Sequence, residues 1–551
     1  MSGLAILAVS FVIFLVAYLV YGRWLASTWG VDENAPTPAH YMHDGIDYVP
    51  AKRSVVFGHQ FASIAGAGPI TGPIIAAAFG WVPVLLWIII GGIFFGAVQD
   101  FAAMYASVKN KGKTIGYLIE IYVGKTGKLL FLAFVWLFSI LVVAAFADIV
   151  AVTFNGFNQD GTMNDANASV ATTSLLFIVA AVGLGAYLQR VKPSGLRSGV
   201  VAVILLILCI TLGMCFPLHV GKTPWLYFVF AYIFVASVTP VWALLQPRDY
   251  LNSFLLVAMI VAAFIGVMFA QPTMNIAAYN GFKVGDRYLF PILFVTVACG
   301  AISGFHSLVS SGTASKQVEN ERDMLPISFG GMLLECLLAV ISLVAVGSLA
   351  VGGVMPAGSP PQIFATAISG FLAGLGLPTQ AVFTIITLAV SAFALTSLDS
   401  VARVGRLAFQ ELFIDSAEGA SPGPVAKILS NRYVATFATL FLGYLLALRG
   451  YQNVWPLFGS ANQLLAALSL IACAVFLKRT NRQGWMLYFP MVAMLIITFT
   501  ALGLTIWSLV GKLGVPGAFQ AASDGLQLVF AILLLGLGVV VAAAGMKKLK
   551  T

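Results

Sequence analysis

Runs of about twenty apolar residues recur along the whole of this chain, and that recurrence restricts its fold more than any single motif. Approximate limits are 3–21, 54–80, 81–107, 129–154, 171–189, 198–217, 225–246, 251–271, 289–311, 327–353, 379–402, 433–449, 454–477, 485–509 and 526–545. A helix of that length crosses the hydrocarbon core of a bilayer. Lipid offers no partner for backbone N–H and C=O groups, so each run must satisfy its own. The expected fold is all-α, a polytopic helical membrane protein of about 15 transmembrane helices. A further segment, 361–376, is apolar but short and holds Gly370, Gly374 and Gly376, so it reads as re-entrant or peripheral. With 60% hydrophobic and only 9% charged residues, a soluble domain is excluded. The first run lacks a basic leader and is too long for a signal peptide, so it reads as a retained helix.

The chain carries a net charge of +9. Nucleic acid is one partner that such a charge could serve, but its distribution points elsewhere. If the loops 22–53, 108–128, 190–197, 247–250, 312–326, 403–432 and 478–484 and the C-terminus face the cytoplasm, they hold every Lys and Arg except Lys222, Lys283, Arg287, Arg449 and Lys512. That asymmetry places the N-terminus outside and the C-terminus in the cytoplasm. The basic excess is topological, and the partner it implies is the lipid bilayer. No obligate protein partner is evident. Ile115, Leu118, Ile119 and Tyr122 share a face within 108–127 and predict a short interfacial helix. The loop 403–432 reads as a flexible connector. Cys209, Cys215, Cys299, Cys336 and Cys473 show no CxxC spacing and read as packing residues.

One apolar run is built to break. In Phe57-Gly58-His59-Gln60-Phe61-Ala62-Ser63-Ile64-Ala65-Gly66-Ala67-Gly68-Pro69-Ile70-Thr71-Gly72-Pro73, two prolines remove backbone donors and two glycines weaken the helix before them. A discontinuous helix inside a membrane must be covered by protein, water or a ligand, and it is a sequence pointer to a transporter's binding site. Five runs later, Ala236-Ser237-Val238-Thr239-Pro240 predicts a second break in a run of opposite direction. That spacing fits an inverted five-plus-five repeat over 54–402, with one extra helix at 3–21 and four at 433–545, in a single domain 1–551. Prolines that merely kink membrane helices would give the same local pattern. Ser63, Ala65, Gly66, Gly68, Ser237 and Thr239 are therefore candidate substrate ligands. Asn462 and Gln463 join them, with helix–helix hydrogen bonding as the other reading.

Ionisable groups within the runs are costly unless they face a cavity or a partner. His59, Asp100, His306, Glu335 and Asp399 fall at one depth, near the cytoplasmic side, while Asp148 lies alone in the outer half. His59, Asp100, His306 and Glu335 read as a proton-coupling relay or an inner gate, with His59 and Asp100 the nearest to the break. Asp399 and Arg403 are spaced to pair on one helix face. Ser310 and Ser311 offer hydroxyl oxygens for a cation site against carbonyls of the broken helix, or bond to their own backbone. No cofactor or metal is implied, and the coupling ion is H⁺ or Na⁺. None of the Gly-Lys-Thr triplets has the upstream glycine of a phosphate loop. The match Gly419-Ala420-Ser421-Pro422-Gly423 to a hydrolase elbow lacks its strand–turn–helix setting. An enzyme or a nutrient sensor is thus the weaker class, and a transporter of a small molecule the stronger.

Several blocks resemble the carbon starvation protein A (CstA) family. They are Gly45-Ile46-Asp47-Tyr48-Val49-Pro50, the segment from Phe57 to Ile70, Gly80-Trp81-Val82-Pro83, Gly96-Ala97-Val98-Gln99-Asp100-Phe101, the segment from Ser303 to Thr313, and Trp455-Pro456-Leu457-Phe458-Gly459-Ser460-Ala461-Asn462-Gln463. Gln60 stands where the family often has a second histidine, which weakens a role for a His-His pair. The C-terminus looks short beside longer members. The resemblance implies a bacterial inner-membrane transporter for nutrient uptake, mainly of peptides, with a related branch carrying pyruvate. It also implies a LeuT-like core, through distant similarity to amino acid–polyamine–organocation transporters.

Overall fold

A computed structural model describes residues 2–44, 48–158, 160–191, 195–239, 245–413, 423–515, 519–520 and 523–550. The fold is helical almost throughout. A two-stranded hairpin, Lys283–Val284 with Arg287–Tyr288, is the sheet formed among these residues. In chain order the main helices are α1 (Gly3–Thr28), α2 (Arg53–Ile64), α3 (Gly68–Ala76), α4 (Trp81–Lys109), α5 (Ile115–Tyr122), α6 (Lys125–Thr153), α7 (Asp165–Val191) and α8 (Gly195–Cys215). They continue with α9 (Lys222–Val238), α10 (Leu245–Ala270), α11 (Leu289–Thr296), α12 (Gly304–Gly312), α13 (Glu321–Leu349), α14 (Pro360–Ala373) and α15 (Thr379–Phe413). The last four are α16 (Arg432–Ala447), α17 (Tyr451–Arg479), α18 (Trp485–Leu513) and α19 (Asp524–Lys550). Among the described residues, 10 helices are long and apolar enough to cross a membrane, and up to 11 if α2 and α3 form one bent span. Three shorter apolar helices cover Lys222–Val238, Phe254–Ala270 and Arg432–Ala447.

Burial sorts these helices into centre and rim. The apolar window of α17 is buried along its whole length, whereas that of α8 is only 28% buried, which leaves α8 to lipid. The largest interhelical contact joins α6 to α15, and α17 packs on both α6 and α4. These helices form the wall behind the breaks.

The break in the second run lies where the prolines put it. Helix α2 stops at Ile64, Ala65 leaves helical geometry at φ −76°, ψ 60°, and α3 restarts at Gly68 with Pro69 in its first turn, where the missing N–H costs nothing. The axis bends by 43° there.

The run 225–246 is interrupted at the residues expected: α9 ends at Val238, Thr239 is extended at φ −78°, ψ 146° as a residue before proline should be, and 240–244 lie outside the described residues. A further break was not expected. The run 289–311, read from sequence as one continuous helix, is instead split into α11 and α12 by the unwound residues 297–303. Each discontinuous pair leads into a long helix with a wide π turn, at Gly92–Ala97 in α4 and Leu325–Gly330 in α13. A short helix (α5, α14) and then a long one (α6, α15) follow in both cases.

Smaller expectations also shift. Ile115, Leu118, Ile119 and Tyr122 are buried in α5, so that face packs on protein, while Tyr117 and Ile121 on the other face stay exposed. Helix α15 runs on to Phe413, eleven residues into the loop read as a connector, and the elbow-like residues 419–422 lie outside the described residues. The short segment 361–376 is helix α14, started by a capping box between Ser359 and Gln362.

Candidate functional site

Lipid cannot satisfy the carbonyls that an unwound segment releases, so other helices must. Around 297–303 they do. Gln463 Nε2 donates to the Phe294 carbonyl at 2.6 Å, Trp455 Nε1 to Thr296 at 3.2 Å, Trp87 Nε1 to Val297 at 3.2 Å, and Gln99 Nε2 to Ser303 at 2.9 Å. Asn462 Oδ1 accepts the Phe305 N–H at 3.1 Å and the Ser303 hydroxyl at 3.2 Å. Asn462 and Gln463, candidate ligands in the sequence, thus hold the second break open from α17. The break has no proline inside it, which explains why the sequence did not reveal it.

The two breaks meet. A Cβ on Gly68 would fall 2.5 Å from Cys299 Sγ, and one on Gly72 would fall 2.7 Å from the Thr296 carbonyl. Glycine here allows one broken helix to lie against the other, a role beyond the helix weakening read from sequence. Where they meet, a small cavity of about 20 Å³ is lined by Gly66 and Gly68 of the first break and by Cys299, Ser303 and His306 of the second. Phe138 and Phe146 of α6, Ser397 of α15 and Phe458 and Asn462 of α17 also line it. That volume holds about one water-sized group, too little for a peptide.

Not every candidate reaches this cavity. Ser63 Oγ donates to the His59 carbonyl at 2.8 Å, and Thr239 Oγ1 to that of Val235 at 2.7 Å, both bonds of a helix to itself. Ser237 lies 3.4 Å from Thr436 Oγ1 on α16. Neither Ser63, Ala65, Ser237 nor Thr239 lines the cavity. Ser310 Oγ accepts from Gln60 Nε2 at 2.7 Å, so the residue that departs from the family pattern ties α2 to α12. Ser311 Oγ donates to the Ser307 carbonyl at 2.6 Å and accepts from Ile115 N–H at 3.2 Å.

The ionisable groups regroup. His306, fully buried on α12 and lining the cavity, has Nδ1 3.0 Å from Asp100 Oδ2 of α4 and Nε2 3.3 Å from Glu335 Oε2 of α13. Asp100, expected beside His59, has His306 as its partner instead. His59 is half-buried on α2. Both ring nitrogens of His306 face carboxylates, and among the described residues no group of three side chains is arranged to hold a metal. Among the same residues, Asp100 Oδ1 and both Glu335 oxygens accept no hydrogen bond. Asp399 meets partners beyond its own helix: Arg248 Nη1 of α10, and the Tyr232 hydroxyl of α9 at 3.0 Å. Arg403 caps α9 by donating to the carbonyls of Ala236, at 2.5 Å, and Thr239. Buried Arg248 was missed because it lies in a short loop of the hydropathy profile, where a basic residue reads as a topology signal.

Two discontinuous helices crossing over a small cavity, with a buried acid–imidazole–acid cluster at its edge, define a polytopic membrane protein built to move a solute. The chain belongs to the carbon starvation protein CstA family, whose pattern matches residues 2–361 and 352–501. The peptide transporter CstA of Escherichia coli K12 is 33% identical, over 95% of this chain and 84% of that protein. The peptide transporter CstA of Bacillus subtilis 168 is 31% identical, over 100% of this chain and 97% of the relative. The pyruvate/proton symporter BtsT of E. coli K12 is also 31% identical, over 92% and 82%. Among solved structures, a manganese transporter of Eremococcus coleocola superposes with a TM-score of 0.49 at 11% identity, covering 91% of this chain and 97% of that one.

Proposed function

We propose that this protein is a secondary active transporter that takes up peptides across the bacterial inner membrane by alternating access, coupled to protons. The observation that carries the reading is the Asp100–His306–Glu335 cluster at the edge of the cavity where both breaks meet. With both acids ionised and the imidazole protonated, the cluster bears one net negative charge, and one more proton neutralises it. Neutralising a buried cluster changes the cost of moving α12 against α4 and α13, which is how a proton can be linked to opening the cavity. The proton is preferred to Na⁺ because the Ser310 and Ser311 hydroxyls are engaged with Gln60, Ser307 and Ile115.

The topology belongs to the same proposal. Counting the α2/α3 and α11/α12 pairs as spans and adding the shorter apolar helices gives fifteen crossings, N-terminus outside and C-terminus inside. The matching sequence of break, π turn, short helix and long helix supports a LeuT-like inverted repeat with its second half starting at α11. Its halves would then be 53–270 and 289–479, with α7 and α8 inserted in the first, in place of the division of 54–402 read from sequence.

Uptake into proteoliposomes under separate pH and Na⁺ gradients tests this with labelled trialanine and labelled pyruvate. Trialanine should accumulate on an inward proton gradient, and Asp100→Asn should abolish accumulation while leaving trialanine exchange. Accumulation on a Na⁺ gradient alone would sink the proton assignment. Pyruvate is the alternative substrate, favoured by the likeness to BtsT, and uptake of pyruvate without trialanine would select it.

A further inference from the structure

A second and much larger cavity lies at the C-terminal end of α6 and the N-terminal end of α17. It has a volume of about 690 Å³, within the roughly 300–1,000 Å³ range of small-molecule sites. Its walls come from the C-terminal end of α6 and the N-terminal ends of α7, α9, α14 and α17, all ends that the charge pattern places outside. Asp148, the lone acid of the outer half, sits in it, almost wholly buried. Its Oδ1 is 2.7 Å from Lys222 Nζ and its Oδ2 accepts the Tyr451 N–H at 2.8 Å.

Lys222 keeps 39% of its side chain exposed beside Asp148. Arg449, which lines the same cavity, shares Asp524 with Lys512 at 3.5 and 3.4 Å, so the three cations outnumber the two acids and leave the cavity an excess positive charge. Carboxamides line the same cavity, among them Asn155, Asn164, Asn167, Gln362 and Asn453; Asn453 Nδ2 donates to the Arg449 carbonyl at 2.7 Å. The wall is braced: Asn167 Nδ2 donates to the Asn155 carbonyl at 3.1 Å, and Gln362 Nε2 to Asn167 Oδ1 at 3.4 Å, which joins α7 to α14. A carboxamide donates and accepts in the same geometry as a peptide unit. Pyruvate brings acceptors only and would use half of that capacity. A cationic spot beside an amide wall matches a peptide with a free C-terminal carboxylate.

The floor separates this cavity from the small one. Tyr451 lines the outer cavity, Trp455 lies one turn deeper on the same helix, and Phe458 lines the inner cavity. Trp455 packs on Phe458 with ring centroids 5.0 Å apart and on Phe146 at 6.3 Å. We propose that the outer cavity is a separate docking site that holds a peptide by its carboxylate, at Lys222 and Arg449, before the Phe146–Trp455–Phe458 rings part. This rests on the reading that the chain transports peptides.

The test uses the full-length protein with Cys215→Ser, which removes an exposed thiol, and Asn158→Cys as a reporter in the cavity wall. Trialanine should slow modification of the reporter by an impermeant maleimide; trialanine amide and pyruvate should not. Lys222→Gln should remove the protection and raise the KM for trialanine uptake about tenfold at an unchanged maximal rate, since a charged hydrogen bond is lost. Lys222→Arg should restore both. Lys222→Gln also strips Asp148 of its partner, so Asn164→Asp is the second variant. Asn164 accepts the Asn167 N–H before α7, and aspartate keeps that cap while placing a negative charge in the wall; the Asn164 Nδ2 donation to Asn158 Oδ1 is already absent in the Asn158→Cys reporter. Equal protection by the amide, or an unchanged KM in both variants, overturns the docking site while peptide transport stands. Absence of trialanine uptake by the otherwise unmodified protein removes the peptide reading and this site with it.

Discussion

Glu335 stands 3.3 Å from His306 Nε2 with no exposure to solvent, and its role is decided by what else can reach it. Removing its charge should leave His306 bound to Asp100 but take one acid from the proton cluster. Glu335→Gln is expected to keep trialanine exchange between equal concentrations and to lose its acceleration by an imposed pH difference; exchange and gradient-driven uptake falling together would show a structural role. Gly68 poses a packing question. Its missing Cβ would lie 2.5 Å from Cys299 Sγ, so Gly68→Ala overpacks the junction of the breaks and should cost about 1–3 kcal/mol of stability. The fall in melting temperature in detergent should be partly reversed by adding Cys299→Gly, which clears the clashing atoms. The sequence disclosed the glycines, the histidine and the acids. It did not disclose that His306 joins Asp100, because the partners lie 206 positions apart.

Helices decide how these residues are gated. Phe146 of α6 packs with Trp455 and Phe458 of α17, and Cys299 lines the inner cavity with Phe146 and Phe458; on the docking proposal these rings close the path from the outer cavity. Trp455→Ala should speed modification of Cys299 by an impermeant thiol reagent added outside; no change would mean that the rings are not the barrier. At the other end, the buried pair Arg248–Asp399 ties α10 to α15, with Tyr232 of α9 beside it. Arg248→Leu strands the Asp399 carboxylate and should cost about 3–5 kcal/mol, whereas the double change with Asp399→Leu should recover most of that. Thermal unfolding of the single and double variants measures the difference. At this scale the first break was legible because Pro69 and Pro73 act locally. The second was not, because hydrogen bonds from Trp87, Gln99, Trp455, Asn462 and Gln463 hold it, and each comes from another helix.

For the molecule as a whole, orientation is the property most open to a direct check. In right-side-out vesicles lacking Cys215, Lys283→Cys in the hairpin should react with an impermeant maleimide and Lys125→Cys at the start of α6 should not; the reverse pattern would invert the topology. The sequence by itself determined that the chain is a bundle of membrane helices, where most of them run, which loops carry the positive charge and where one helix breaks. Those properties follow from hydropathy, charge and proline chemistry, which act over a turn or two of backbone. Only the tertiary structure decided which break faces which, which acids share His306, and that one face of 115–122 packs on protein. It also decided that Asn462 and Gln463 brace an unwound segment. Each of these depends on side chains from distant helices satisfying polar groups that lipid leaves bare, and no local pattern encodes which helix will supply them.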